Sequence, residues 1–139
     1  MTSPEPQPRH AAGDGPTVLY GIAQCDQVRK AKAWLNAAGI AYRFHDFRVD
    51  GLEVALLDRW LQRLPWDALL NRRGTSWRKL NERQRLAVTD QLSARAAMIA
   101  EPLLVKRPVI ERDERLMIGF AEPLYLGFFG GSGERGRQA

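Results

Sequence analysis

Between Thr17 and Phe47 the chain runs apolar, then small and polar, then amphipathic, then alternating, and this order restricts the fold more than any other stretch. Thr17–Ile22 is a short apolar run and reads as a strand. Val28, Ala31, Trp34, Leu35 and Ala38 recur on one face, so Cys25–Ala38 reads as a helix. Gly39 suits the position just past its end, where left-handed backbone is wanted. Ala41–Phe47 alternates Tyr42 and Phe44 with Arg43 and His45, the period of a half-buried strand. Strand, helix and strand in roughly thirty residues make a βαβ unit. Such crossovers are right-handed, so the two strands are expected to be parallel. The one cysteine, Cys25, falls where the loop becomes the helix. There the first helical N–H groups and the positive end of the helix dipole favour negative charge, so a thiol is readily turned into a thiolate.

The remainder supplies helices and then a hairpin. Asp50-Gly51 is expected to open a helix, with Leu52, Leu56, Trp60 and Leu64 on its stripe and Pro65 as its stop. Asp67 is placed to cap a short turn, Ala68–Asn71. Residues 71–79 read as a basic loop containing Trp77. Asn81 and Gln84 have capping-box spacing, so 81–100 reads as a short helix followed by a longer one, ending before Pro102. Leu103–Ile110 reads as a strand interrupted by Arg107-Pro108, and Arg115–Gly119 as its antiparallel partner. Glu122–Phe128 reads as a last short helix. A parallel pair and an antiparallel pair assembled in this order give an α/β fold of thioredoxin type. Its mixed four-stranded sheet is flanked by helices and interrupted by a helical insertion. In that arrangement the loop before Pro108, a candidate cis proline, lies beside the loop carrying Cys25.

Residues 1–16, rich in proline and glycine, are expected to form a disordered extension, and 130–139 a flexible tail, leaving one domain over 17–129. A single cysteine excludes an intramolecular disulfide, and no apolar run is long enough to span a bilayer. The N-terminus lacks signal-peptide order, which makes the cytoplasm the expected location. The net charge of +5 (pI about 9.9) resides in the folded body, because the charges of the two tails cancel. A basic body suits an anionic partner: a small oxyanion, the carboxylates of glutathione, an acidic protein surface or nucleic acid.

Cys25 is the leading candidate for chemistry, against the simpler reading of a small buried hydrophobe. It sits at the carboxyl edge of the strands, where open α/β sheets bind ligands. Arg29, four residues on, is placed to lie over the turn holding the sulfur, and Asp26 beside it works against the thiolate. Arg107 converges on Cys25 under the proposed fold and could hold an oxyanion by paired hydrogen bonds. Arg72 and Arg73 are further anion-binding candidates, against a solvated charge run. His10 and His45 with one cysteine offer no metal site. Arg72–Arg85 carries six basic residues and Trp77, yet a lone aromatic is a poor platform for single-stranded nucleic acid. A redox nucleophile with no second cysteine needs an external thiol, with glutathione the obvious one, to clear its product.

The segments Tyr20-Gly-Ile-x-x-Cys25-Asp, Lys30-Ala-x-x-Trp34-Leu and Gly39-Ile-x-Tyr42-x-Phe44-His45-Asp46 resemble the YffB-like branch of the ArsC/Spx family. So do Asp50-Gly51-Leu52, Leu69-Leu-Asn71-x-Arg73-Gly-Thr-x-Trp77-Arg-Lys79-Leu80 and Lys106-Arg107-Pro108-Val109. The resemblance covers about residues 17–128. It implies a thioredoxin-like domain with a helical insertion and a glutathione-linked reductase acting on arsenate or on thiols. Under it, Cys25 matches the nucleophile, Arg107 the arginine before the proline, Arg73 the arginine of the central loop and Arg29 the arginine four residues after the cysteine. Cys25, Arg107 and Arg73 are taken as the catalytic set, and Arg29, Arg72 and Pro108 as expected substrate-binding residues. The partners implied are glutathione as co-substrate, glutaredoxin and a small anionic substrate, with no bound cofactor or metal and a monomeric chain. The family's reductases carry a further oxyanion arginine after the hairpin. Here no basic residue stands between Leu116 and Tyr125, where Gly119-Phe120 is found, and this weighs against efficient arsenate reduction. The alternative is an Spx-like regulator that binds the α subunit of RNA polymerase. Residues three before and three after Cys25 are Ile22 and Val28, so the two-cysteine switch of such regulators is absent.

Overall fold

The computed structural model describes residues 16–130. The extension and tail expected at the two ends lie almost wholly outside this range. The chain forms two compact units. The first takes the described residues through His45 and those from Arg107 onward, and the second is Asp46–Lys106.

The first unit is built on a four-stranded sheet. Its strands are β1 (Thr17–Gly21), β2 (Arg43–Asp46, whose last residue opens the second unit), β3 (Val109–Arg112) and β4 (Arg115–Ile118). Their spatial order is β2-β1-β3-β4. β1 pairs antiparallel with β3, Thr17 opposite Arg112 through Tyr20 opposite Val109, and β3 pairs antiparallel with β4. The sheet is mixed, so its parallel pair is β2 with β1, joined by helix α1 (Asp26–Ala37) as the βαβ spacing requires.

Side chains alternate across a strand, and Leu19 and Ile110, being paired, share one face. Val28, Ala31 and Leu35 of α1 pack there with Tyr125 and Phe129. Burying an aliphatic side chain of this kind contributes about 1.5–3 kcal/mol. The expected helix face is therefore correct at its centre. Trp34 is only half-buried and meets Tyr125 edge-on at 5.4 Å, and Ala38 has already left the helix as its C-cap. Gly39 follows at φ +73°, the left-handed conformation its position called for. At the chain's end, α-helix persists only over Glu122–Tyr125 and then widens to π-helix over Leu126–Gly130, shorter than the expected Glu122–Phe128. Arg115 donates to the Phe128 carbonyl at 2.7 Å and so ties this widened turn to β4.

The second unit is helical, and here four expectations need correction. In place of one helix from Gly51 to Leu64, a single turn, α2 (Phe47–Asp50), precedes α3 (Val54–Leu61). The Asp46 carboxylate accepts from the Arg48 N–H at 2.8 Å, which starts the helix early, and Gly51 at φ +76° ends it. The basic loop at 71–79 contains a helical turn. After α4 (Trp66–Leu69), with Pro65 rather than Asp67 at its N-cap, comes α5 (Thr75–Lys79). Arg78 donates to the Arg73 carbonyl at 2.6 Å, and Arg85 donates to the Leu80 carbonyl. These arginines thus satisfy backbone acceptors around the turn. Leu103–Val105 is not strand. A 3-10 turn occupies Pro102–Leu104, and Val105 makes only an isolated bridge to Leu70. The Glu101 carboxylate accepts from the Leu103 N–H at 3.2 Å and favours the turn over a ladder.

Helices α6 (Glu82–Leu86) and α7 (Gln91–Ala100) both open on capping boxes, Asn81 with Gln84 and Asp90 with Ser93. Leu57, Trp60, Leu69, Met98 and Leu104 are fully buried in this unit. Arg95 of α7 grips Asp58 of α3 through two hydrogen bonds, 2.6 and 3.1 Å. Those bonds, aided by the guanidinium charge, hold the Asp58 carboxyl below its usual range. A carboxyl depressed in the folded state stabilises it above the unfolded value and stops doing so as pH falls through the folded one. Asp58→Asn is therefore expected to lower the urea midpoint near neutral pH. The deficit should shrink as pH drops below about 3.9, the ordinary aspartate value. Chemical denaturation at several pH values reads this, and a deficit independent of pH would contradict it.

Candidate functional site

Cys25 is the N-cap of α1, with extended backbone (φ −91°, ψ 127°). Its carbonyl accepts the Arg29 N–H at 2.9 Å, and its own N–H donates to the Ile22 carbonyl at 3.3 Å. The side chain is half-buried and makes no capping hydrogen bond. It packs against the core cluster, as does Phe120. The expected junction of loop and helix is thus where the sulfur stands.

How closely α1 can approach β1 is set by Gly21. A Cβ built there would lie 2.5 Å from Cγ2 of Val28, which is fully buried and stiff at χ1. The glycine permits the helix that begins at Cys25 to lie directly against the strand.

The β1/β3 register continues this edge. Tyr20 lies opposite Val109, so the next position places Gly21 across from Pro108. The Arg107-Pro108 bond is cis, and the Gly119 N–H donates to the Pro108 carbonyl at 2.7 Å. Cys25's loop, Arg107-Pro108 and Gly119-Phe120 therefore belong to one end of the sheet. Arg107 is half-buried, and its buried Nε–H has no hydrogen-bond partner among the described residues. A donor left in that state is costly unless an acceptor reaches it.

Arg29 and Asp26 are engaged with each other. The guanidinium donates to the Asp26 carboxylate on the exposed side of the first helical turn. The expectation that Arg29 would reach over the cysteine turn and the open question of Asp26 are answered by this one pair.

Arg72 and Arg73 belong to the second unit. With Asp67, Leu70, Asn71 and Lys106 they line a cavity of about 480 Å³. The Arg72 guanidinium lies over the Trp66 ring at 5.4 Å. Within the basic tract, Arg78 and Arg85 are spent on backbone carbonyls. These contacts turn two of the tract's guanidinium groups toward its own backbone without removing their charge.

Two features went unnoticed in the sequence. Tyr20 donates its hydroxyl to the buried Glu111 at 3.1 Å, and the His45 ring lies 5.0 Å from the Tyr20 ring, tilted by 47°. Only the register brings Tyr20 and Glu111 to the same face. Tyr125 donates to the Gly119 carbonyl at 2.8 Å, and burial raises its phenol well above the usual value. The same bond anchors the Gly119-Phe120 turn. Among the described residues no group of three or more His, Cys, Asp or Glu could hold a metal ion, and no helix is long and apolar enough to cross a membrane.

The ArsC family model matches residues 20–128. A solved structure of the YffB protein superposes with a TM-score of 0.76 at 41% identity, covering 80% of this chain and 96% of that one. An arsenate reductase (ArsC) related protein from Brucella melitensis gives 0.66 at 48% identity, covering 82% and 94%. The global transcriptional regulator Spx 2 of Bacillus cereus is 31% identical over 110 residues, 76% of this chain and 80% of its own length.

Gly21→Ala tests the close approach of α1. Overpacking of this kind costs about 1–3 kcal/mol. Denaturant unfolding should show that loss, and a variant as stable as the parent would mean that the helix yields without cost.

Proposed function

We propose that this chain, which belongs to the ArsC family, is a thiol-based reductase with Cys25 as nucleophile and glutathione as the external thiol. The observation that carries the reading is the buried, unpartnered Nε–H of Arg107, on the residue before Pro108, at the sheet end that holds Cys25. Such a guanidinium favours a thiolate and an anionic group on the substrate. Arg73 and Arg72, from the cavity of the second unit, are assigned to substrate binding. Arg29 could bind an anion only by giving up Asp26.

With a disulfide substrate the Cys25 thiolate attacks one sulfur. A bond forms to Cys25, the substrate disulfide breaks, and the departing thiolate takes up a proton. Glutathione's thiolate then attacks the substrate sulfur of the mixed disulfide and releases Cys25 as a thiolate. The disulfide now joining glutathione to the substrate is reduced by a second glutathione or by glutaredoxin. Arsenate is the other oxidised substrate the family suggests. Gly119-Phe120 at the same end of the sheet adds no cation there, which favours the sulfur substrate. The site calls for no cofactor, and the chain is read as a cytoplasmic monomer.

The Spx-like reading, a regulator bound to the α subunit of RNA polymerase, is favoured by the likeness to Spx 2. The two diverge under one substitution. In a panel of disulfide substrates and arsenate, with glutathione and with or without glutaredoxin, the wild type is expected to turn over a disulfide and Cys25→Ser to be inactive. Turnover that persists in Cys25→Ser, or no turnover by the wild type with polymerase retained by both proteins, would overturn the reductase reading.

A further inference from the structure

The cavity in the second unit has a construction that the reductase chemistry does not require. Two short stretches of chain are locked side by side. Asn71 N–H donates to the Leu104 carbonyl at 2.7 Å, and Lys106 N–H donates to the Leu69 carbonyl at 2.8 Å, around the Leu70–Val105 bridge. This fixes the backbone of Lys106 next to that of Leu70 and Asn71. The Asn71 side chain is itself held, its Oδ1 accepting from the Arg73 N–H at 3.0 Å. Its amide nitrogen would lie 2.7 Å from a Cβ at position 74, so a larger residue there would displace the amide. Arg72 is stacked on Trp66. The backbone under a cavity lined by three cations and one carboxylate is thus fixed by hydrogen bonds, with Lys106 half-buried and Asp67, Arg72 and Arg73 lining it from the exposed side.

Its size and charge specify a ligand. About 480 Å³ falls in the range of organic-ligand pockets. Arg72, Arg73 and Lys106 offer guanidinium forks and an ammonium suited to carboxylates. Asp67 in the same lining disfavours a bare polyanion and suits a ligand that also carries an ammonium group. We propose that this cavity binds a small peptide-like zwitterion with two carboxylates and one ammonium, with Lys106 and Asp67 as binding residues alongside Arg72 and Arg73. Glutathione has those groups. The inference rests on the reductase reading only in the choice of glutathione as the ligand.

The probe is S-methylglutathione, which keeps both carboxylates and the ammonium and has no thiol. It is titrated by calorimetry into the full-length chain carrying Cys25→Ser, which removes thiol exchange. Saturable binding is expected, weakening as salt is raised. Lys106→Ala and Arg73→Ala should each reduce affinity about tenfold, the scale of one charge-assisted hydrogen bond. Lys106→Arg should restore most of the loss, which a general folding defect would not allow, and the dimethyl ester of the probe should not bind. No saturable binding, binding that Lys106→Ala and Arg73→Ala leave unchanged, or phosphate binding as tightly as the peptide would each overturn the proposal. The result is separable from the reductase reading. Binding without any Cys25-dependent turnover would sink only the latter, and turnover without binding would sink only the pocket.

Discussion

Antiparallel pairing of β1 with β3 joins Thr17–Tyr20 to residues at the far end of the chain, Val109–Arg112. Leu19 and Ile110 meet in it at the centre of the first unit's core, and α1 packs on that face. Tyr20 and Glu111 meet on the opposite face through a buried hydrogen bond. Asp46–Lys106 intervenes in the sequence. An insertion of that length is tolerated because the entropy of closing a loop grows only with the logarithm of its length. Without this pairing the loop of Cys25 and the Arg107-Pro108 bond would have no common edge.

Charge at the site is used sparingly. Arg29, which spacing alone would aim at the sulfur, is neutralised by Asp26. Arg78 and Arg85, the middle of the most basic stretch, serve carbonyl groups around α5. The cations that bear on the two candidate sites are Arg107 in the first unit and the group around the second unit's cavity, Arg72, Arg73 and Lys106. A chain with a net charge of +5 thus commits several of its arginines to internal contacts, which fix where those guanidinium groups point.

The fold of the first unit was legible because its signals are periodic and local. The apolar strand, the helix face of Val28, Ala31 and Leu35, and the glycine after it each follow from spacing. The family resemblance and the observed mixed sheet agree with that reading. The second unit was less legible because short helices are decided by single side chains. Asp46 capping Arg48 and Arg85 reaching back to Leu80 depend on rotamers that no periodicity reports. The strand expected at Leu103 failed because Glu101 offers its carboxylate to the Leu103 N–H. At the site, Cys25 and Arg107-Pro108 could be paired in advance only through the fold. The Asp26–Arg29 contact and the part of Lys106 in the cavity needed coordinates.

The account stands on Arg107 acting at the sheet end where Cys25 sits. The direct measurement is the rate at which the thiol takes up one glutathionyl group from oxidised glutathione, followed by intact mass, in the wild type and in Arg107→Gln. One adduct per chain is predicted in the wild type, forming at least about tenfold faster than in the variant, since one charge-assisted interaction is of that order. Equal rates in the two proteins, or a thiol that takes up no glutathione, would contradict it.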